Sequence, residues 1–307
     1  MLQVLLSGLA TGAVYGLVAM AFAVVFYVTK VINFATGQLL MVSIMTVSGL
    51  SAIGVPVWLS IVAGIALSTG FGVAIYYGAV APVLKVDRTG FGWLVSTLGV
   101  AIVLASVAAM IFGPTSRAFP ALLYHHSIRL FGTSTTWQEM LAVIVAAVVL
   151  VAFEVFRTRT LFGKVGMAIS GDPEMATAVG ANATAYAVIA FAIGGLLAGV
   201  AGVLVGPITF ANPYLGDTYG IAGFIALMIG GIDKPAAAMG GGVLLGVLSV
   251  VANTYINSQA SDWFPFVVVV AVLLIAPHGL FASGNLFARW LGRGRRSAEL
   301  ALPAVRS

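Results

Sequence analysis

From Leu2 to Val28 the chain carries no Lys, Arg, Asp or Glu, and comparable apolar runs recur at 38–54, 57–81, 92–112, 137–156, 185–207, 236–256 and 263–276. A helix needs about 17–25 such residues to cross a hydrocarbon layer, so repeated runs of this kind leave an integral membrane bundle as the fold. The segment 218–232 crosses fully or in part. The expected architecture is an all-α, polytopic transmembrane helical bundle of about eight or nine crossings. It forms one membrane domain over 1–285, followed by a basic tail over 286–307. Mean hydropathy is +1.12, with 61% hydrophobic and 7% charged residues, values that exclude a soluble globular domain. Trp58, Trp93, Trp137 and Trp263 each stand at the start of an apolar run, where interfacial tryptophans belong.

Lys and Arg number 14 against 9 Asp and Glu, and the excess sits in loops and tail. That distribution follows the positive-inside rule, whereas nucleic-acid binding would want a basic face. Absence of cysteine excludes thiolate metal sites and cysteine nucleophiles. Met-Leu-Gln lacks the basic start of a secretory signal, so the first run is expected to remain as a span.

Gly8, Gly12 and Gly16 recur every four residues in the first run, and Gly195 and Gly199 repeat the pattern later. Small residues at that spacing let a second helix backbone approach closely. Two polar interruptions follow these glycine-rich runs. The first, INFATGQ, holds Asn33, Thr36 and Gln38; the second, TFANPYLG, holds Asn212 and Tyr214. Both read as broken or re-entrant helices. Irregular backbone at membrane depth must line a cavity or lie buried in protein, so these residues are candidates for a solute path or, equally, for satisfying freed backbone groups. Their Phe-Ala pairs suggest an internal repeat with a site between its halves.

The longest polar stretch of the carboxyl-terminal half, 157–184, contains a short helix with its own signals. Asp172 suits the N-cap, Pro173 the first helical position, Glu174 the first turn and Gly180 the position past the end. A helix of under two turns needs support, and its small face, with Ala176, suits docking on a partner at the membrane surface. An ordinary linker helix would carry the same caps. If this stretch shares the side of the tail, Lys85 and Arg88 lie there too and the loop with His125 and His126 lies opposite. Those adjacent histidines lack a third ligand nearby, so no metal site is expected.

These pieces together resemble a permease subunit of the branched-chain amino acid ABC importer family. The resemblance rests on GLATGAVYGLVAMAF, INFATGQLLM, TLFGKVGMAISGDPEMATAVGAN, NPYLGDTYGIAGFIALMIGGI, GGGVLLGV and PHGLF, in this order. Glu174, Ala176 and Gly180 are similar to the E-A-A-x-x-x-G loop through which such permeases engage their ATPases, with Met175 replacing the first alanine. The family usually has His and Glu where this chain has Thr36 and Gln38, an arginine at Met167 and a lysine at Ala222. The resemblance implies half of a translocation pathway for branched-chain amino acids or a related amide or urea. It implies as partners a second permease subunit, two ATPases, an extracytoplasmic binding protein and the lipid bilayer of the cell's inner membrane. Gly163 falls within the implied coupling loop; Gly163-Lys164 is followed by Val165, so the chain has no P-loop. ATP and Mg would be held by the partner ATPase, with no cofactor in this chain and no enzymatic activity of its own. The rival readings are an ion-coupled secondary transporter and a passive channel. For the first, Asp217 is the one acidic residue placed beside a break.

Overall fold

In the computed structural model of the protein, residues 1–86, 91–120, 127–130, 133–178, 180–232, 234–257, 259–276 and 279–281 are described. Arg88, His125, His126, Val179, Asp233, Pro277 and the basic tail lie outside them. The elements in order are α1 Leu2–Thr29, α2 Thr36–Ala52, α3 Val57–Ile75, α4 Ala81–Val86, α5 Gly92–Phe112, β1 Ser127–Leu130, β2 Thr133–Thr136, α6 Trp137–Arg159, α7 Leu161–Gly171, α8 Pro173–Ala178, α9 Ala183–Thr209, α10 Leu215–Gly230, α11 Pro235–Tyr255 and α12 Ala260–Ile275. A π turn, Tyr76–Val80, joins α3 to α4 into one continuous helix, Val57–Val86. Ser96 donates to the Ala79 carbonyl within this turn at 2.8 Å, supplying a partner where the backbone ladder widens.

Six helices among the described residues are long and apolar enough to cross a membrane, and three shorter apolar helices accompany them. The expected polytopic helical bundle is therefore the observed fold. The loop 113–136 adds a two-stranded antiparallel hairpin, β1–β2, which hydropathy did not reveal.

Helix α1 is the central post. Its most apolar stretch is 83% buried, against 22% for α5 and 11% for α6, so the latter two lie at the periphery of the bundle. It crosses α11 in backbone contact: Gly8, Gly12 and Gly16 face Val247, Val243 and Met239, while Gly242 and Gly246 face Gly16 and Gly12 in return. A Cβ on Gly242 would stand 2.2 Å from Gly16 Cα, so side chains are excluded from both sides of this seam. A second seam joins α9 to the helix 57–86, where a Cβ on Gly195 would meet the Ser68 carbonyl at 2.6 Å and one on Gly199 the Ser68 Cβ at 3.0 Å.

Contacts at the helix ends fix which ends lie together. Thr136 and Glu139 form a capping box at the start of α6, and Ser7 donates to Glu139 Oε1 at 2.7 Å, tying the beginning of α1 to the hairpin. Ser48 near the end of α2 donates to the Ala118 carbonyl, and Arg117 pairs with Ala211 just past α9. The ends of α2, α5 and α9 therefore share the hairpin end with Met1. At the opposite end a cleft lined by Tyr27, Phe153, Arg157, Phe162 and Tyr186 gathers the ends of α1 and α6, the start of α9, and α7. The first 52 residues consequently traverse the bundle twice.

Substituting Gly246→Val drives a branched side chain into Gly12 and is expected to cost more than about 3 kcal/mol or abolish recovery of folded protein. Gly70→Ala, with nothing within 4 Å of its Cβ, should melt within about 0.5 kcal/mol of the parent. Thermal melting in detergent checks the pair, and indistinguishable melting of the two variants would contradict the seam.

Candidate functional site

The two interruptions are built alike. Helix α1 ends at Thr29, whose hydroxyl donates back to the Val25 carbonyl at 2.7 Å, and Lys30 then turns with φ 57°. Helix α9 ends at Thr209, whose hydroxyl donates to the Val205 carbonyl at 3.2 Å, and Phe210 then turns with φ 64°. Among the described residues these are the two non-glycines with positive φ. Each turn leads to an asparagine that closes a local ring. Asn33 Oδ1 accepts from the Ala35 N–H at 3.1 Å, and Asn212 Oδ1 accepts from the Tyr214 N–H at 2.8 Å. The Asn33 and Asn212 carbonyls then accept from the first N–H groups of α2 and α10, Thr36 and Leu215. Asparagine serves here because its short amide imitates a backbone turn.

This geometry corrects the register of the repeat. The shared pattern is Asn-x-x-x-Gly-polar, pairing Asn33 with Asn212, Gly37 with Gly216 and Gln38 with Asp217. The Phe-Ala pairs are not equivalent, since Phe34-Ala35 follows its asparagine and Phe210-Ala211 precedes its own.

Both short helices begin at half-height in the bundle. Ser68 Oγ lies 2.9 Å from the Leu39 carbonyl of α2 and 2.7 Å from the Gly195 carbonyl of α9, and Ser68 and Gly195 sit near the midpoints of their helices. Tyr219 of α10 packs its ring 5.7 Å from that of Tyr15, close to the midpoint of α1. There the amino-terminal turns of α2 and α10 touch: a Cβ on Gly37 would stand 2.1 Å from the Gly216 carbonyl oxygen, and Gln38 Nε2 donates to Asp217 Oδ1 at 2.6 Å. The starts of the two helices are thus bridged by one side-chain bond.

Asn33, Thr36 and Gln38 are buried, at 1%, 0% and 2% exposure. The first two spend their bonds on the broken backbone, Thr36 Oγ donating to the Asn33 carbonyl at 2.7 Å. Asn212 is half-buried and donates from Nδ2 to Ser116 Oγ at 3.1 Å, and Tyr214 is exposed. The structure brings Asn33, Thr36 and Gln38 to one crossing and sets Asn212 and Tyr214 on its outer side. Ser68 went unnoticed in the sequence because a lone serine in an apolar run carries no pattern.

The second candidate region lies at the end opposite the hairpin. Thr160 accepts from the Gly163 N–H at 3.0 Å and starts α7, a helix that sequence reading left within the polar stretch. A Cβ on Gly163 would stand 2.3 Å from the Arg157 carbonyl oxygen, so only glycine lets α7 fold back on α6. Asp172 Oδ1 accepts from the Met175 N–H at 2.9 Å, at the start of α8. Ala176 is buried, Met175 and Ala178 are exposed, and Gly180 stops the helix with φ 93°. The side chains of Pro173 and Glu174 lie outside the description. Arg157 is paired with Glu154 and donates to Met167 Sδ at 3.3 Å, while Phe162 stacks on Tyr186 at 4.4 Å, so α7 is pinned to both α6 and α9. No group of three metal-ligating side chains occurs among the described residues.

A family model described as the permease component of the branched-chain amino acid transport system matches residues 4–276. The chain is 30% identical to the high-affinity branched-chain amino acid transport system permease protein LivH of Escherichia coli K12, over 91% of this chain and 94% of the relative. It is 29% identical to BraD of Pseudomonas aeruginosa, covering 91% and 95% of the two chains, and 25% identical to a probable LivH of Methanocaldococcus jannaschii, covering 86% and 87%. A chain of the PsaBC–Fab complex from Streptococcus pneumoniae aligns over 93% of this chain and 94% of its own, with a TM-score of 0.47 and 13% identity.

Removing each asparagine separates their contributions. Asn33→Ala strands a buried N–H and is expected to cost about 1–2 kcal/mol in a detergent melt, whereas at half-exposed Asn212 the same change should cost about 0.5 kcal/mol. A larger loss at Asn212 would contradict the burial argument.

Proposed function

The chain belongs to the family of branched-chain amino acid transport permeases, and from that premise we propose that it is the membrane-spanning subunit of an ATP-binding cassette importer. The observation that carries this reading is α8: a capped, six-residue helix presented on a separate helix, α7, that is itself clamped between two spans. Such a helix has too few turns to be stable alone, and its exposed residues offer a partner something to grip. The basic residues Arg157, Arg159 and Lys164 lie at the same end, which by the positive-inside rule is cytoplasmic. The stretch 157–184 is then the coupling loop, with Gly163, Asp172, Pro173, Glu174, Ala176 and Gly180 as its structural residues, and the tail 286–307 is cytoplasmic too.

The hairpin end faces outward, toward a substrate-binding protein. Two ATPase subunits supply the energy and hold ATP and Mg, and a second permease subunit completes the conduit in the inner membrane. The solute is a branched-chain amino acid or a related amide or urea. The mechanism follows from the packing. A push on α8 is passed to α7, and through Arg157, Met167, Phe162 and Tyr186 to the ends of α6 and α9. Helix α9 carries the second break at its far end, so movement at the cytoplasmic end tilts the half-height crossing.

Ala178→Pro should reduce ATP-driven solute uptake at least about tenfold while leaving the yield and melting of the purified chain unchanged, since α8 lies outside the bundle. Normal uptake by this variant would overturn the coupling role.

A further inference from the structure

Most of the surface this chain leaves uncovered at membrane depth is apolar. Helix α5 exposes Val95, Ile102 and Met110, and α6 exposes Ile144, Val148 and Val151, as expected of helices bathed in lipid. Helix α10 is different. Its exposed stripe is Tyr214, Asp217, Thr218 and Ile221, one face by their spacing, while Gly216, Tyr219, Gly220 and Gly223 pack inward on α1 and α2. The stripe begins at the half-height crossing, so an exposed carboxylate stands midway along the bundle. An ionisable side chain at that depth faces water or another protein chain and is not left against lipid tails.

The carboxylate is also free to act. Its hydrogen-bond partner is the neutral amide of Gln38, and the ion pair among the described residues is Glu154–Arg157, at the far end. Gln38 is held between Gly216 and the rest of α2, so it fixes the position of Asp217 without cancelling its charge. The Gln38 Oε1 atom is buried without a hydrogen-bond partner, so the bond from Nε2 to Asp217 is the one that holds this amide.

We propose that this stripe is the chain's wall of the conduit, turned across water toward the second permease subunit, and that Asp217 is its selective contact, accepting from the ammonium or amide N–H group of the solute. Anionic solutes are repelled at this point. Gln38 is a positioning residue. The inference rests on the importer reading and adds to it the face and the charge that select the cargo.

The chain has no cysteine, so single thiols can be placed without altering its background. Thr218→Cys and the mid-helix control Ile102→Cys, on the exposed apolar face of α5, are made in the complex co-purified with its ATPase, with ATP hydrolysis as proof of assembly. Both are treated with a cationic and an anionic membrane-impermeant methanethiosulfonate, with rates normalised to those of 2-mercaptoethanol. The expected result is modification at position 218 and none at 102, with the cationic reagent favoured about tenfold at 218, as a neighbouring unscreened carboxylate requires. Adding Asp217→Asn should abolish that preference while adding Asp217→Glu retains it. An unreactive thiol at 218, or a charge preference indifferent to Asp217→Asn, in a complex that hydrolyses ATP overturns the inference and leaves the importer reading standing. A chain that never assembles with an ATPase overturns the importer reading instead.

Discussion

Where no water reaches, every N–H and C=O must find a partner within the protein, and a helix that starts at half-height leaves several open at once. This chain has two such helices, α2 and α10, each entered through a break at the end of a full-length span, α1 or α9. The cost is met locally by threonines that bond back one turn, by asparagines that imitate the missing turn, and by Ser68, whose hydroxyl stands between two main-chain carbonyls of neighbouring helices. Everything else in the architecture makes those breaks tolerable. The amino termini of α2 and α10 are pressed together so that neither opens onto lipid, and that pressing requires glycine at 37 and 216.

The glycine seams follow from the same need. With no hydrophobic force to drive helix on helix inside a bilayer, association depends on close packing. Helix α1 is held to α11 by interlocking glycines on both partners, and α9 to the helix 57–86 by Gly195 and Gly199. These two pairs carry one break each, at Lys30 and at Phe210.

Much of this was readable in the residues, and the exceptions have physical causes. The spans announced themselves because length and uncharged composition suffice to specify a crossing. The four-residue glycine spacing put Gly8, Gly12 and Gly16 on one face, but the partner helix is named only by three-dimensional packing. The repeat was visible, yet its register was misaligned: Phe-Ala is the more conspicuous pair to the eye, whereas the structural equivalence is carried by an amide side chain that makes a turn. Helix α7 was hidden because its residues are neither apolar enough for a span nor capped by a conspicuous acid. Asn33, Thr36 and Gln38 were readable as belonging together. That Asn33 and Thr36 serve the backbone while Gln38 holds the outward carboxylate of Asp217 depends on burial and packing, which spacing alone does not report.

Family membership makes the chain a transport permease, and the proposed reading has it moved from one end through α8. The sidedness of that helix decides the account. A single thiol at Met175, which is exposed, should react with an impermeant maleimide in inside-out vesicles and stay unlabelled in intact cells. Labelling from outside intact cells would place the lever on the wrong face of the membrane and contradict the account.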